Sequence, residues 1–216
     1  MKGPEGPGLS TTLLVLVVGL VVLGLSALPI DEHHIGGLEE DVFRFLNDDL
    51  YLPYWPTWLL MQLGSVVVVP LVVAAALVAR RRRLAVTAGV AGTLVYVMGK
   101  VVRHGIVRGR PARVLEDAVI RGDPAVGTGY LSGHMALAVA MAAAATPYLG
   151  WKGRTIVWSL AAFVGLARIH VGAHMPLDVV GGVGLGLAGW AVVHLAVGAL
   201  PSARADRRAP SEAVAS

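Results

Sequence analysis

The sequence contains no cysteine, and this absence excludes several kinds of chemistry. A chain without thiols has no disulfide framework, no thiolate nucleophile and no thiolate metal ligand. Any covalent catalysis must therefore use serine, threonine, histidine, aspartate or lysine side chains.

Charged residues are also scarce. Only 15% of the 216 residues are Asp, Glu, Lys or Arg, whereas soluble domains average ~25%. Hydrophobic residues make up 56% of the chain and the mean hydropathy is +0.69, which favours an integral membrane protein with a single domain. The net charge of +4 does not indicate nucleic-acid binding, because the basic residues lie in short segments between apolar runs rather than along one face or arm.

Six apolar runs are long enough to be membrane spans, since a bilayer core of ~30 Å needs about 20 helical residues. They are roughly residues 10–28, 56–79, 84–102, 131–150, 155–171 and 176–200. The predicted fold is therefore all-α, a polytopic bundle of six transmembrane helices. The predicted boundaries are an N-terminal segment 1–9, a membrane domain 10–200 and a disordered cytoplasmic tail 201–216. A secretory signal peptide is the alternative for the first run, although that run exceeds the usual ~7–15-residue apolar region.

The segment between the first two runs mixes acidic residues with aromatic ones. Val42, Phe45 and Leu46 have helical spacing, and aromatic side chains suit a boundary between water and lipid. We therefore predict a short interfacial helix here, with a solvated loop as the alternative. His33 and His34, beside two acids, are expected to be exposed loop residues.

The distribution of lysine and arginine predicts the orientation of the bundle. Basic clusters at 80–83, 152–154 and 204–208 fall on one side of a six-span chain, which the positive-inside rule assigns to the cytoplasm. The segment 101–130 then lies outside, yet it holds five arginines. They are Arg103, Arg108, Arg110, Arg113 and Arg121. Positive charge on the outer side indicates an anion site rather than a topology signal.

Three short motifs lie at the ends of candidate spans on this outer side. They are Arg103-x6-Arg110-Pro111, Ser132-Gly133-His134 and Arg168-x5-His174-x3-Asp178. Converging arginines are suited to a phosphoryl group, because the planar guanidinium matches phosphate oxygens and keeps its charge. Backbone N–H groups at the start of a helix add further donors for an anion.

The histidines and the aspartate supply the remaining chemistry of a phosphoryl transfer. A neutral imidazole is a competent nucleophile at phosphorus, and a carboxylate on its other nitrogen fixes the tautomer. His174 and Asp178 are four residues apart and share a face if the helix continues through them. His134, from a different helix, would be the general acid that protonates the leaving oxygen.

In this order the motifs resemble those of the type-2 phosphatidic acid phosphatase superfamily of membrane lipid phosphatases. The signatures of that family are Lys-x6-Arg-Pro, Pro-Ser-Gly-His and Ser-Arg-x5-His-x3-Asp. The chain departs from them at Arg103 for lysine, Leu131 for proline and Ala167 for serine. Lys100 lies three residues too early to match the family lysine. The resemblance extends from about the second span to the sixth.

The resemblance implies a six-helix core and a metal-independent mechanism through a phosphohistidine, without a cofactor. His174 would be the nucleophile, Asp178 its orienting partner and His134 the acid. Phosphate would be bound by Arg103, Arg110, Arg168, Ser132 and Gly133. The expected substrate is a lipid phosphate at the outer face of the cell membrane, with a polyprenyl phosphate or diphosphate favoured. Phosphatidylglycerophosphate or phosphatidic acid is the alternative.

These residues also allow other interpretations. His170, His174 and Asp178, spaced by four, match metal ligands on one helix face, but Pro176 and the nearby arginines disfavour a cation. His170 alone is typical of a supporting or interfacial histidine. Arg108 and Arg113 are compatible with headgroup contact or substrate contact.

The last apolar run also contains a glycine pattern, and two rival classes of protein remain. Residues 184–189 match a dinucleotide fingerprint, but no predicted strand precedes them. Gly182 and Gly186 instead predict a face for close helix packing. A proton-coupled transporter or a non-catalytic lipid-binding protein would also carry charges in apolar surroundings, although a transporter is expected to show broken helices at the midplane.

Overall fold

The structure is a computed structural model that describes residues 6–32, 34–122 and 126–199. His33, the predicted tail 201–216 and the first five residues of the N-terminal segment lie outside the described residues. All regular structure in the described ranges is helical, which confirms the all-α prediction. The helices are α1 (Leu9–Ala27), α2 (Gly37–Arg44), α3 (Tyr54–Met61), α4 (Val68–Val78), α5 (Arg82–Gly105), α6 (Pro111–Val114), α7 (Gly133–Ala145), α8 (Trp151–His170) and α9 (Pro176–Ala199). A π-helical turn follows α2 at Phe45–Asp49, and 3-10 turns follow α3 at Gln62–Gly64 and α7 at Thr146–Tyr148.

Three helices in the described part of the chain are long and apolar enough to cross a membrane. They are Leu9–Ala27, Arg82–Gly105 and Pro176–Gly198. The pair Tyr54–Gly64 and Val68–Val78 forms a fourth if its two bent halves count as one span. The predicted count of six spans is therefore not confirmed.

The predicted span 56–79 is two helices, which meet at an angle of 67°. Gly64 lies at the bend, directly against the start of α7. A Cβ atom there would lie 2.5 Å from the carbonyl oxygen of His134. Only a residue without a side chain lets the chain pass this close to another backbone.

The fourth and fifth predicted spans are not among the helices that are long and apolar enough to cross a membrane, for separate reasons. Helix α7 has only 13 residues and ends before Pro147, which lies in the 3-10 turn and lacks the N–H that an α-helix interior requires. Helix α8 has 20 residues, but Lys152, Arg154 and Arg168 give it three cationic side chains.

Glycines allow α9 to pack closely against α1 and α7. A Cβ on Gly19 of α1 would lie 2.7 Å from the backbone nitrogen of Ala188 in α9, and one on Gly184 would lie 2.5 Å from that of Leu23. On α9, Gly182 and Gly186 approach the backbone of α7 in the same manner, which confirms the predicted small-residue face. Small residues drive helix association in membranes because they allow close backbone contact.

Helix α2 confirms the short helix predicted between the first two apolar runs. Phe43 of this helix is buried, whereas Leu38 of the helix and Phe45 of the following turn are exposed. An exposed apolar surface of this kind suits contact with lipid at the membrane boundary, and the location of α2 at that boundary stays a prediction.

The helix directions bring the three motifs to one end of the bundle. The last turns of α5 and α8 and the first turns of α7 and α9 meet at what we call the site end. The opposite end, the basic end, holds Arg81 and Arg154, which donate to the backbone carbonyls of Tyr148 and Thr146.

Candidate functional site

A histidine and an aspartate form a buried pair at the start of α9. His174 Nδ1 lies 3.3 Å from Asp178 Oδ2, and the two residues are only 2% and 0% exposed. The same carboxylate oxygen accepts the backbone N–H of Met175 at 2.9 Å. Helix α9 begins at Pro176, so His174 precedes the helix and does not share a continuous helical face with Asp178. The pair forms because Asp178 reaches back to cap the helix start.

The surroundings of His174 favour the neutral imidazole. Burial lowers the pKa of His174 to about 4, although the hydrogen bond with Asp178 acts in the opposite direction. Nearby Arg168 and Arg110 lower this pKa further. An imidazole that donates from Nδ1 to a carboxylate keeps a lone pair on Nε2, and this is the form required for nucleophilic attack.

Arg103 lies against the glycine that opens α7. A Cβ atom on Gly133 would lie 3.2 Å from Arg103 Nη1, and this nitrogen is 3.4 Å from the carbonyl oxygen of Leu131. The first turn of α7 also presents the N–H groups of Gly133 and His134, which have no intrahelical carbonyl partner because of their position. A guanidinium and two backbone donors thus face the same space.

Ser132, one of the expected phosphate ligands, also makes two hydrogen bonds within the protein. Its backbone N–H donates to the carbonyl of Asp178 at 2.9 Å, and its hydroxyl caps α7 by accepting the N–H of Met135 at 3.4 Å. Ser132 therefore joins the start of α7 to the start of α9. The backbone donor that the sequence analysis assigned to phosphate at this position is occupied within the protein.

Arg110 and Arg168 are the other two expected phosphate ligands, and both lie within electrostatic range of His174. Arg110 donates to the carbonyl of Ala173 at 2.6 Å and to that of Val126 at 3.0 Å, which places it beside His174. Burial lowers the pKa of Arg110, an effect that Asp178 opposes. The Nε atom of Arg168 is buried and has no hydrogen-bond partner among the described residues. Such a donor is suited to an anion.

His134 comes from α7 and lies within electrostatic range of His174, Arg168 and Arg103. The hydrogen bond from Ser132 to Asp178 joins the start of α7, where His134 lies, to the start of α9 beside the buried pair. The expected catalytic residues and arginines are thus assembled at the site end, with Ser132 as the connecting residue.

Two residues at the site end have roles that the sequence does not predict. The sequence allowed either headgroup contact or substrate contact for Arg108. In the structure Arg108 is only 3% exposed and donates to Asp178 Oδ1 at 3.0 Å. Its other terminal nitrogen pairs with Glu39 of α2. No sequence signal distinguishes Glu39 from the adjacent acids. The burial of Arg108 is a tertiary effect that spacing alone does not reveal.

His170 does not join the buried pair. Its Nδ1 atom faces the carbonyl oxygen of Leu46 at 3.1 Å, and its own carbonyl accepts from Asn47 and Arg121. His170 is therefore a supporting histidine, as one interpretation of the sequence predicted. Within the described ranges, no group of three or more His, Cys, Asp or Glu side chains is arranged to hold a metal ion.

A family model now places this arrangement among known proteins. The model of the PAP2 superfamily matches residues 81–201, which is more than half of the chain and includes all three motifs. The chain belongs to the PAP2 superfamily. It is thus a member of a family of membrane lipid phosphatases, and phosphatases of the PAP2 superfamily are hydrolases.

Two solved structures share the PAP2 fold with this chain. The crystal structure of Aquifex aeolicus LpxE aligns with a TM-score of 0.70 and 23% identity, covering 76% of this chain and 99% of LpxE. A transmembrane PAP2-type phosphatidylglycerolphosphate phosphatase from Bacillus subtilis aligns with a TM-score of 0.60 and 20% identity, covering 85% and 94% of the two chains. No curated protein sequence matches the chain. At these identities the two structures support the fold alone.

Proposed function

We propose that this protein is an integral membrane lipid phosphatase that hydrolyses a phosphomonoester or diphosphate of a lipid, with a polyprenyl phosphate or diphosphate as the favoured substrate. The observation that carries the proposal is the buried pair of His174 and Asp178, with Arg110 bonded to the neighbouring carbonyl of Ala173 and Arg168 within electrostatic range of His174. The catalytic face is the extracytoplasmic one, because the basic end carries the cluster at 80–83 that marks the cytoplasm.

In the first step, Nε2 of His174 attacks the phosphorus atom of the bound lipid phosphate. A bond from nitrogen to phosphorus forms while the bond from phosphorus to the leaving oxygen breaks, and His134 donates its proton to that oxygen. Asp178 stabilises the positive charge that develops on the imidazole. The arginines and the first N–H groups of α7 stabilise the negative charge on the phosphoryl oxygens.

In the second step, water hydrolyses the phosphohistidine. His134, now neutral, accepts a proton from the water as its oxygen bonds to phosphorus, and the bond to His174 breaks. Inorganic phosphate leaves and both histidines return to their initial states. The protein's own side chains thus supply the nucleophile, the acid, the base and the charge stabilisation.

A basic cavity beside the site favours a substrate with more than one phosphate. The cavity has a volume of about 510 Å³, and its lining includes Lys100, Arg103, His104 and Arg110. Arg103 and Arg110 are also proposed phosphate ligands, so the cavity shares two residues with the site. A diphosphate can place its terminal phosphate at His174 and its other phosphate near Lys100 and His104.

A phosphatidylglycerophosphate phosphatase is the second candidate. The observation in its favour is the shared fold with the Bacillus subtilis enzyme. The two candidates differ in the headgroup presented to the basic cavity, so a direct comparison of their lipids separates them.

The decisive experiment measures phosphate release by the purified protein in detergent. The panel contains a polyprenyl diphosphate, a polyprenyl phosphate, phosphatidylglycerophosphate and phosphatidic acid, each with and without EDTA. We expect release that is fastest with a polyprenyl substrate, survives EDTA and disappears in His174→Ala. His34→Ala is the matched control, since His34 is exposed. No release from any lipid would refute the phosphatase, and chelation followed by rescue with a divalent ion would refute metal independence.

A further inference from the structure

A chain of buried charges links helix α2 to the catalytic pair. Arg108 Nη1 donates to Asp178 Oδ1 at 3.0 Å, and Arg108 Nη2 contacts Glu39 Oε2 at 2.5 Å. The side chains of Arg108 and Glu39 are 3% and 9% exposed. The other carboxylate oxygen of Glu39 accepts the backbone N–H of Leu177 at 2.9 Å. The sequence of contacts therefore runs from α2 through Arg108 to Asp178 and on to His174.

The two oxygens of Asp178 have separate partners. Oδ2 faces His174 and the N–H of Met175, whereas Oδ1 accepts from Arg108. A carboxylate without solvent exposure requires an opposite charge and hydrogen bonds to remain buried as an ion. Arg108 supplies both, and its hold on Oδ1 determines the plane in which Oδ2 meets the imidazole.

Glu39 restrains Arg108 in turn. A guanidinium without a second partner is free to turn either terminal nitrogen toward Asp178. Glu39 holds one terminal nitrogen of the guanidinium and anchors itself to the first turn of α9 through Leu177. The single donation from Arg108 to Asp178 therefore depends on a residue of α2.

We propose that Arg108 and Glu39 are positioning residues that orient the carboxylate of Asp178 and, through it, the imidazole of His174. The proposal rests on the proposed function, in which that imidazole is the nucleophile. Arg108 acts through Asp178 and does not bind the substrate phosphate, which distinguishes it from Arg103, Arg110 and Arg168.

A second ion pair in the same region supplies a matched control. Arg44 of α2 pairs with Asp117, which belongs to the same segment as Arg108. This pair also joins α2 to the segment that follows α5, but it is largely exposed and has no described contact with Asp178. Arg44→Gln therefore removes an ion pair to α2 without disturbing the catalytic pair.

The test measures kcat and KM with a polyprenyl diphosphate for Arg108→Gln, Arg108→Lys, Glu39→Gln and Arg44→Gln. We expect Arg108→Gln to lower kcat by ~10–100-fold, the range for loss of a group that orients a histidine ligand, with KM unchanged within about twofold. Arg108→Lys should recover part of the loss, since an ammonium keeps the charge without the planar fork. Glu39→Gln should lower kcat by less than Arg108→Gln does. The double variant, Glu39→Gln with Arg108→Gln, should have a kcat no lower than that of Arg108→Gln alone. Arg44→Gln should match the wild type.

A readout without substrate separates this proposal from the phosphatase assignment. Nitrogen-15 NMR of labelled histidine in detergent reports the tautomer of His174, whose signal is identified by its loss in His174→Ala. We expect a single tautomer, protonated at Nδ1, in the wild type and in Arg44→Gln, and a mixture in Arg108→Gln. A wild type that releases no phosphate refutes the proposed function, while this spectrum still tests the positioning role. An unchanged tautomer in a folded Arg108→Gln or Glu39→Gln variant, or a rise in KM without a fall in kcat, overturns the positioning role.

Discussion

Lys100 lies one helical turn before Arg103 and lines the same basic cavity. Lys100 does not occupy the position of the family lysine, but its ammonium group contributes charge to the cavity where we propose that a second phosphate binds. Lys100→Gln should raise KM for a polyprenyl diphosphate by up to about fivefold, because an exposed ion pair contributes ~0.2–1 kcal/mol. The KM for the monophosphate should change less. Steady-state assays with both lipids test this, with Arg82→Gln at the basic end as control, and equal changes for the two lipids would contradict it.

The roles of His134 and His174 can be distinguished by comparing substrates with different leaving groups. Loss of a positioned general acid lowers the rate by ~10²–10⁴-fold, so His134→Ala should be impaired to this extent on a lipid phosphate. The loss should shrink on an aryl phosphate whose leaving group needs no proton. Rapid-quench trapping of an acid-labile phosphohistidine on both substrates measures the step. Equal impairment on both substrates would exclude His134 as the leaving-group acid.

The pKa of His174 predicts how acid affects the folded protein. Its value of about 4 lies below the ordinary 6.5, so the unfolded chain binds this proton more readily than the folded protein does. The contribution to stability is fully present above pH 6.5 and is lost as the pH falls toward 4. Thermal unfolding in detergent at about pH 7.5 and about pH 4.5 should show a larger loss in the wild type than in His174→Gln. Equal losses would show that the imidazole is not held neutral.

Glycines within single helices decide how closely the elements pack. Gly19→Ala should destabilise the bundle by ~1–3 kcal/mol, the usual effect of overpacking, since the added methyl group meets the backbone of α9. Gly24 lies on the same helix with nothing within 4 Å of its Cβ position. Gly24→Ala should therefore be neutral or stabilise the helix by up to ~1 kcal/mol. Unfolding in mixed micelles compares the two, and similar values would argue against close packing of α1 on α9.

The elements also show what the sequence could predict. The motifs lie at the ends of apolar runs, so alternating helix directions sufficed to predict that they meet. The break at Gly64 was not predicted, although Gln62, Gly64 and Ser65 interrupt the apolar run there. Glycine and serine are tolerated within membrane helices, and the bend depends on a close contact with the backbone of His134. The role of Glu39 was likewise not predictable, because its partner Arg108 lies 69 residues away in the sequence and no periodicity connects the two positions. Helix propensity and hydropathy are local properties, whereas these contacts are tertiary.

For the whole molecule, the main prediction concerns orientation in the membrane. The chain has no native cysteine, so one introduced cysteine gives an unambiguous signal. Glu116→Cys, at an exposed position in the segment after α5, should react with an impermeant thiol reagent in intact cells. Lys152→Cys, exposed at the basic end, should react only after the membrane is permeabilised. The reverse pattern would place the catalytic face in the cytoplasm.

The contact between α1 and α9 has a consequence for the order in which the protein is made. Helix α1 is synthesised before the other described helices, yet it packs on α9, the last of them. Tyr130, which hydrogen-bonds to Ser26 and to the carbonyl of Leu23, adds a second long-range link to α1. Contacts of such large sequence separation form late in folding. Helix α1 therefore lacks this packing partner until α9 has been synthesised, and the described bundle closes only at that point.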